Sequence, residues 1–208
     1  QQKSDYNHIK EVTDQGIPMV MFDRVTERIQ CDKVVIDDAQ GAFLAVKKFV
    51  ESGKKKIALI TTDDYLSVGK ARTDGYKKAL AHYNIPLEES LILKMPSMEV
   101  EATAFDSFFK TQEVDAVLCV NEIFAMHAMR LVHGINKRIP EDISFIGFTD
   151  GLLSKFAMPS LTAIAQHGEL MGEEAARMLI EKVETESDEA TFTTTVLQPT
   201  LIERASTL

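Results

Sequence analysis

Short, nearly continuous apolar runs alternate along the chain with longer amphipathic stretches. Few polar residues interrupt the runs, a pattern that is typical of parallel strands buried on both faces of a sheet. The predicted strands are residues 19–22, 34–36, 57–60, 116–120, 143–146 and 161–164.

The amphipathic stretches repeat their apolar residues at helical spacing. The predicted helices are residues 38–52, 70–84, 122–133 and 169–184. Asp38 can cap the first of them, and Gly53 fits a left-handed residue that ends it. Alternating strands and helices with short connections predict a doubly wound α/β fold with a parallel sheet and right-handed crossovers.

Hydrogen-bonding side chains follow each predicted strand, at the carboxyl end where open α/β sheets bind ligands. The segments are Asp-Arg at 23–24, Asp-Asp at 37–38, Thr-Thr-Asp-Asp at 61–64, Asn-Glu at 121–122, Gly-Phe-Thr-Asp at 147–150 and Gln-His at 166–167. Such groups suit a small, hydroxyl-rich, uncharged ligand such as a sugar. Helix capping and turn formation are the alternative for any single Asp or Asn.

Composition and charge narrow the choice of partners. The chain is 45% hydrophobic and 26% charged, as expected for a globular protein with a core. Its net charge of −9 repels nucleic-acid phosphates, so DNA binding would require a separate basic module. The two cysteines, with Cys119 inside an apolar run, favour a reduced, cytoplasmic setting over a disulfide scaffold. No apolar run is long enough to span a membrane.

Catalytic motifs are missing from the sequence. It contains neither a Gly-x-Ser-x-Gly elbow nor a glycine loop for phosphate, and its histidines are not spaced as metal ligands. His127 and His133, six residues apart, are expected to be surface or partly packed residues. We therefore predict a protein that is not an enzyme and needs no cofactor or metal.

Seven segments, in order along nearly the whole chain, resemble motifs of the lactose-repressor/galactose-repressor family of bacterial transcription regulators. The segment at 139–148, Ile-Pro-Glu-Asp-Ile-Ser-Phe-Ile-Gly-Phe, and that at 72–76, Arg-Thr-Asp-Gly-Tyr, are two of them. The others lie at 17–24, 35–58, 121–125, 159–176 and 199–207. One such segment would be weak evidence, but seven in sequence are specific.

The resemblance implies two lobes of the periplasmic-binding-protein type, with the effector in the cleft between them. Residues 1–36 and 166–195 would form a partial N-terminal lobe. Residues 37–165 and 196–208 would form the C-terminal lobe, so the chain would cross between lobes near 36, 165 and 195. The helix-turn-helix of the family is expected outside this chain.

The resemblance also implies ligand-binding residues. Asp23 corresponds to an acid that faces the cleft, Arg72 to an arginine that clamps the ligand, and Asn121 to a polar residue facing the ligand. Thr149 stands where the family often has a ligand-contacting Asp, and Asp150 follows it. A hydroxyl thus replaces a carboxylate at this position.

Structural roles are the alternatives for three of these residues. Arg72 could pair with Asp74 or Asp63 at the surface, where an ion pair contributes little. Asp23 could pair with Arg24 or Arg28, and the residue at 150 could cap a turn. These alternatives stay open at the level of sequence.

The resemblance predicts an effector-sensing domain that binds a small polar ligand, a sugar or sugar derivative. Ligand binding would control operator DNA binding by a separate helix-turn-helix, in a homodimer. The alternative is a solute-binding protein that serves a transporter and shares the lobes. An enzyme on a doubly wound sheet would need a nucleophile, metal set or phosphate loop, which the sequence lacks.

Overall fold

A computed structural model describes residues 6–62, 67–96, 101–185 and 191–208, except for the side chain of Ser67. The chain divides into two compact units. Unit 1 comprises Gln1–Asp37 and His167–Leu197, and unit 2 comprises Asp38–Gln166 and Gln198–Leu208. The Asp63 and Asp64 of the third polar segment lie outside the described residues.

Helices and strands alternate through most of the described chain. They are α1 (Asn7–Asp14), β1 (Val20–Phe22), β2 (Asp32–Ile36), α2 (Asp38–Glu51), β3 (Ile57–Thr62), α3 (Ser67–His82), a 3-10 helix (Glu89–Leu91), β4 (Ile92–Met95), α4 (Ala102–Thr111), β5 (Ala116–Cys119), α5 (Glu122–Gly134), β6 (Ser144–Phe148), α6 (Leu152–Phe156), β7 (Thr162–Ala165), α7 (Gly168–Glu184), β8 (Thr194–Leu197) and β9 (Thr200–Ile202).

Unit 1 contains a small parallel sheet with the strand order β1-β2-β8. Helix α7 packs on β1 and β2, because its apolar stripe matches the apolar face of the central strand. The buried residues of this contact are Val34, Ile36, Met171, Ala175 and Met178. Unit 1 therefore has a core of its own.

Unit 2 is built on a six-stranded sheet with the order β4-β3-β5-β6-β7-β9. Its neighbouring strands are parallel, except that β9 runs antiparallel to β7. Every residue of β3, β5, β6 and β7 is buried, which confirms the interpretation of the continuous apolar runs. Helix α2 packs against α3, and α4 packs against α5.

The six predicted strands and four predicted helices all occur, with shifted ends. The first two residues of two polar segments lie inside strands and not, as expected, in the loops after them. Residues 61–62 belong to β3 and residues 147–148 to β6, because the hydrogen bonding of each strand continues past its apolar run. Gly53 does end α2 with a left-handed φ of 79°, whereas Asp38 is the first residue of α2 rather than its cap.

Candidate functional site

The residues at the carboxyl ends of β5, β6 and β7, together with Arg72, form what we call the carboxyl edge of unit 2. It comprises residues 120–122, 148–150 and 166, to which Arg72 is attached from α3. Parallel strands end on the same side of a sheet, so β5 and β6 bring their polar residues side by side. Four of the five predicted binding residues lie here.

Arg72 joins three elements at the carboxyl edge. Its Nε donates a hydrogen bond of 2.7 Å to Oδ1 of Asp38, and its terminal nitrogen donates to the carbonyl of Val120. The guanidinium carbon lies 3.9 Å from the centroid of the Phe148 ring, a cation–π contact. The Arg72 and Asp38 side chains are only 6% and 10% exposed, so the ion pair is buried. The sequence did not identify Asp38 as this partner.

The motif at 72–76 is the packing face of α3. A Cβ on Gly75 would lie 2.2 Å from the carbonyl oxygen of Ala39, so only glycine allows α3 to approach α2 this closely. Tyr76 is fully buried and its hydroxyl donates to the carbonyl of Ile57 at 2.8 Å. Positions i, i+3 and i+4 share one helix face, so the spacing of the motif has a structural reason.

Asn121 caps the helix that starts at the carboxyl edge. Its Oδ1 accepts a hydrogen bond of 2.7 Å from the backbone N–H of Phe124 in the first turn of α5. The side chain is buried, and its amide oxygen satisfies one of the unpaired N–H groups of the helix. The capping alternative therefore describes this residue well, and its predicted contact with ligand stays a prediction.

The side chain of Glu122, the first residue of α5, bonds to the start of the next helix, α6. Its Oε2 accepts from the backbone N–H of Ser154 at 3.3 Å and lies 3.1 Å from the Ser154 hydroxyl. A Cβ on Gly151 would lie within 2.9 Å of three atoms of the Glu122 carboxyl group. The glycine thus leaves room for the carboxylate at the first turn of α6.

Thr149 connects the ends of β6 and β7. Its backbone N–H donates to the carbonyl of Ile164 at 3.0 Å, and its hydroxyl donates to Oε1 of Gln166 at 2.7 Å. Its φ of 79° is left-handed, which is strained for a β-branched residue. Backbone strain of this kind is concentrated at binding sites, which favours a functional role for Thr149.

Asp150 forms an ion pair with Arg204, a residue distant in the sequence. Arg204 also donates from its other terminal nitrogen to the carbonyl of Leu161 at 2.8 Å, just before β7 begins. The Asp150 carboxylate is therefore held toward the start of β7. No local spacing could have revealed this pair, and ligand contact by Asp150 stays a prediction.

Asp23 lies in unit 1, after β1. Its backbone N–H donates to the carbonyl of Val34 at 3.1 Å, and its φ of 60° is left-handed. Its side chain is half-buried. The other four predicted residues lie in unit 2. The contacts described for them therefore do not test the role predicted for Asp23.

The cysteines and the central histidine of α5 are packing residues. Cys31 and Cys119 are free and buried, and burial raises the pKa of the Cys119 thiol. The ring of His127 packs at 4.8 Å on that of Phe105, as a partly packed residue should.

Among the described residues, no group of three or more His, Cys, Asp or Glu could hold a metal ion. Nor does that part of the chain contain a helix with the length and apolar character needed to cross a membrane.

Known proteins resemble this chain in sequence. Residues 46–207 match the family described as "Periplasmic binding protein-like domain". The ribose operon repressor of Haemophilus influenzae is 29% identical over 193 residues, covering 92% of this chain and 58% of that protein. The HTH-type transcriptional repressor PurR of Yersinia pestis is 32% identical over 194 residues, covering 92% and 56%. The chain thus spans somewhat more than half the length of these relatives.

Solved structures resemble it in fold. The complex of the transcriptional regulator CelR with cellobiose has a TM-score of 0.81 and 28% identity, over 94% of this chain and 60% of that one. A LacI family transcriptional regulator from Enterococcus faecium with bound ribose has a TM-score of 0.84 and 26% identity, over 98% and 75%. Both similarities extend over nearly all of this chain.

Proposed function

This chain belongs to the family of periplasmic binding protein-like domains, and from that membership we propose that it is the effector-sensing part of a bacterial transcription regulator. Its relatives are transcriptional repressors, including a ribose operon repressor. The effector is a sugar or sugar derivative, bound in part by the carboxyl edge of unit 2.

The proposal rests on one observation: contacts within unit 2 hold the side chains of that edge in fixed positions. Arg72 is fixed by Asp38, Val120 and Phe148, and the hydroxyl of Thr149 is fixed by Gln166. Side chains that are already held in place lose little conformational freedom when a ligand binds. The edge is thus preorganised to exchange hydrogen bonds with hydroxyl groups.

The class of effector follows from the relatives and from the chemistry of the edge. One structural neighbour is a complex with cellobiose and another contains ribose, both rich in hydroxyl groups. The carboxyl edge offers a threonine hydroxyl, a glutamine amide and a guanidinium group, which donate to and accept from hydroxyls. A neutral sugar can form hydrogen bonds with these groups without adding charge to the site.

In the whole protein, effector binding would change the affinity for operator DNA. A coupling free energy of about 1–3 kcal/mol between the two sites is enough to change DNA occupancy severalfold. The net charge of −9 argues that a separate helix-turn-helix binds the DNA. We propose a cytoplasmic homodimer that regulates transcription and catalyses no reaction, as its relatives are regulators.

A thermal-unfolding screen of the purified chain against neutral sugars, including ribose and cellobiose, tests the proposal. A ligand at a hundred times its dissociation constant should add about 2.7 kcal/mol to the free energy of unfolding. Thr149→Ala should weaken binding about threefold to tenfold, because one hydrogen-bonding group is lost. Thr111→Ala is the matched control, since the Thr111 hydroxyl bonds to carbonyls of α4 and to the adjacent Gln112, near the opposite end of the sheet. Stabilisation by no sugar would contradict the proposal.

A further inference from the structure

From the way charges are compensated at the carboxyl edge of unit 2, we infer that the effector carries no negative charge. This inference rests on the proposed function and narrows its ligand class. It excludes phosphorylated sugars and sugar acids, which the term sugar derivative would otherwise include. Three features of the edge carry it: the pairing of its arginine, the occupation of its helix starts and the sign of the remaining charges.

The arginine of the edge already has a buried counter-ion. Arg72 and Asp38 are 6% and 10% exposed, and their closest atoms lie 2.7 Å apart. An anion that approached Arg72 would meet a guanidinium group whose charge is balanced by this carboxylate. Sites that bind phosphate use arginines whose forks are directed at the ligand, because bidentate bonds supply the affinity. Arg72 instead donates to Asp38 and to the carbonyl of Val120.

The helix starts at the edge are occupied by the protein itself. Exposed N–H groups and the helix dipole make a free helix start attractive to anions. Here the Asn121 side chain accepts from Phe124 in the first turn of α5, and Glu122 accepts from Ser154 in the first turn of α6. Helix α2 begins with Asp38 itself. An anionic ligand would have to displace these side chains or lie beside a carboxylate.

Apart from Arg72, the charged side chains of the edge are those of Glu122 and Asp150, and both are negative. Asp150 is already paired with Arg204. Glu122 has no arginine or lysine among its described partners, which are the groups of Ser154. Lys70 in α3 and Lys155 in α6 are exposed to water, where their charges are strongly screened. The local field therefore opposes a phosphate or carboxylate.

Calorimetric titration of matched ligand pairs tests the inference. The pairs are ribose with ribose 5-phosphate, glucose with glucose 6-phosphate, and cellobiose with cellobionate. For any pair that binds, the neutral member should bind at least about tenfold more tightly, which corresponds to about 1.4 kcal/mol. Tighter binding of a phosphorylated or acidic member overturns the inference and leaves the proposed function standing. Failure of every sugar, neutral or charged, overturns both.

Two variants distinguish an effect of the charge at the carboxyl edge from an effect of the net charge of the protein. Glu122→Gln keeps the shape of the side chain but removes its charge, so it should reduce the preference for the neutral ligand about threefold or more. Asp142→Asn changes the net charge by the same amount, but Asp142 bonds to Arg138 before β6 begins. This substitution should therefore leave the preference unchanged. Circular dichroism of both variants checks that they are folded. Equal effects of the two substitutions would overturn the local origin of the preference.

Discussion

A single buried arginine links helix packing to the proposed binding site. Arg72 contacts Asp38 at the start of α2, the carbonyl of Val120 after β5, and the ring of Phe148 in β6. The role predicted from the resemblance, a clamp for ligand, and the role seen in the structure are compatible, because one guanidinium group can serve both. The structural role makes a direct prediction about stability.

Arg72→Ala should reduce the free energy of unfolding by about 3 kcal/mol, because it removes one partner of a buried ion pair. Urea unfolding followed by circular dichroism measures this loss. Arg138→Ala is the matched control, since the ion pair of Arg138 with Asp142 is largely exposed, so water screens it and its loss should have a much smaller effect. Equal losses in the two variants would refute a buried pair at Arg72.

Gly75→Ala should destabilise unit 2 by about 1–3 kcal/mol. The added methyl group would overlap the carbonyl of Ala39, and α2 and α3 would have to separate. Gly134→Ala, at the end of α5, meets no atom within 4 Å and should leave stability unchanged or raise it by up to about 1 kcal/mol. Thermal unfolding of the two variants distinguishes the cases, and a neutral Gly75→Ala would contradict the close approach of the helices.

At the residue scale, the sequence predicts which polar residues lie near the ends of strands better than it predicts the residues with which they pair. The polar segments after the strands were recognised because they interrupt apolar runs. The pairs of Arg72 with Asp38 and of Asp150 with Arg204 were not, since their members are 34 and 54 residues apart. Contacts of that separation depend on the completed fold, which local spacing does not encode.

At the scale of elements, Asp32 fastens the end of α7 to the sheet of unit 1. The Asp32 carboxylate accepts from Lys182 at 2.5 Å and from the backbone N–H of Thr193 at 2.7 Å. Burial by itself would raise the pKa of Asp32, but these hydrogen bonds outweigh it, so the pKa lies below its ordinary value of 3.8. The ionised carboxylate therefore stabilises the folded state.

The depressed pKa of Asp32 fixes the sign of a pH dependence. Its stabilisation is present above the ordinary carboxyl pKa and disappears as the pH falls through the lowered value. Asp32→Asn should therefore cost about 2 kcal/mol at neutral pH and less in acid, as urea unfolding at several pH values can show. Asp14→Asn, in an exposed pair with Lys10, should change stability by less than about 1 kcal/mol. A loss that grows in acid would contradict this account.

His127 gives the packing of α4 on α5 its own pH dependence. Its Nε2 is buried without a hydrogen-bond partner in the described structure, beside Phe105. Burial lowers the pKa of His127, Arg130 lowers it further, and Asp106 opposes them. The unfolded chain therefore binds a proton more readily than the folded one, and stability falls as the pH drops below the ordinary histidine value of about 6.5.

His127→Leu should remove part of that loss. Between about pH 7.5 and 5.5, the free energy of unfolding should fall less in the variant than in the wild type, because the buried group no longer competes for a proton. Chemical unfolding at the two pH values gives the comparison. A variant with the full pH dependence of the wild type would show that His127 has no part in it.

At the scale of elements, the pattern predicts six of the strands and four of the helices, and it does not predict α1, α4, α6, β4, β8 or β9. The runs of β3, β5, β6 and β7 are largely apolar, which is why the pattern predicts them. Strands β8 and β9 are short and partly exposed, and α6 has only five residues. Such elements form because the sheet beside them supplies hydrogen bonds and contacts, which periodicity cannot show.

At the scale of the whole molecule, the family resemblance is confirmed by the matches in sequence and structure. The two units depend on distant pairings: β2 of unit 1 pairs with β8, joining Lys33 to Thr194. Composition and periodicity predicted the α/β class, whereas only the resemblance supplied an order of lobes. The chain spans somewhat more than half the length of these relatives, so regulation and DNA binding are proposals for this chain.

The most direct test of the account maps a bound sugar onto the chain by nuclear magnetic resonance. Backbone amide shifts of the labelled protein are followed while a neutral sugar from the screen is added. We predict the largest changes in unit 2 at residues 120–122, 148–150 and 166, and small changes at residues 138–144, which precede and begin β6. Changes in unit 2 that are concentrated at residues 138–144, with the carboxyl edge unaffected, would contradict the proposed site.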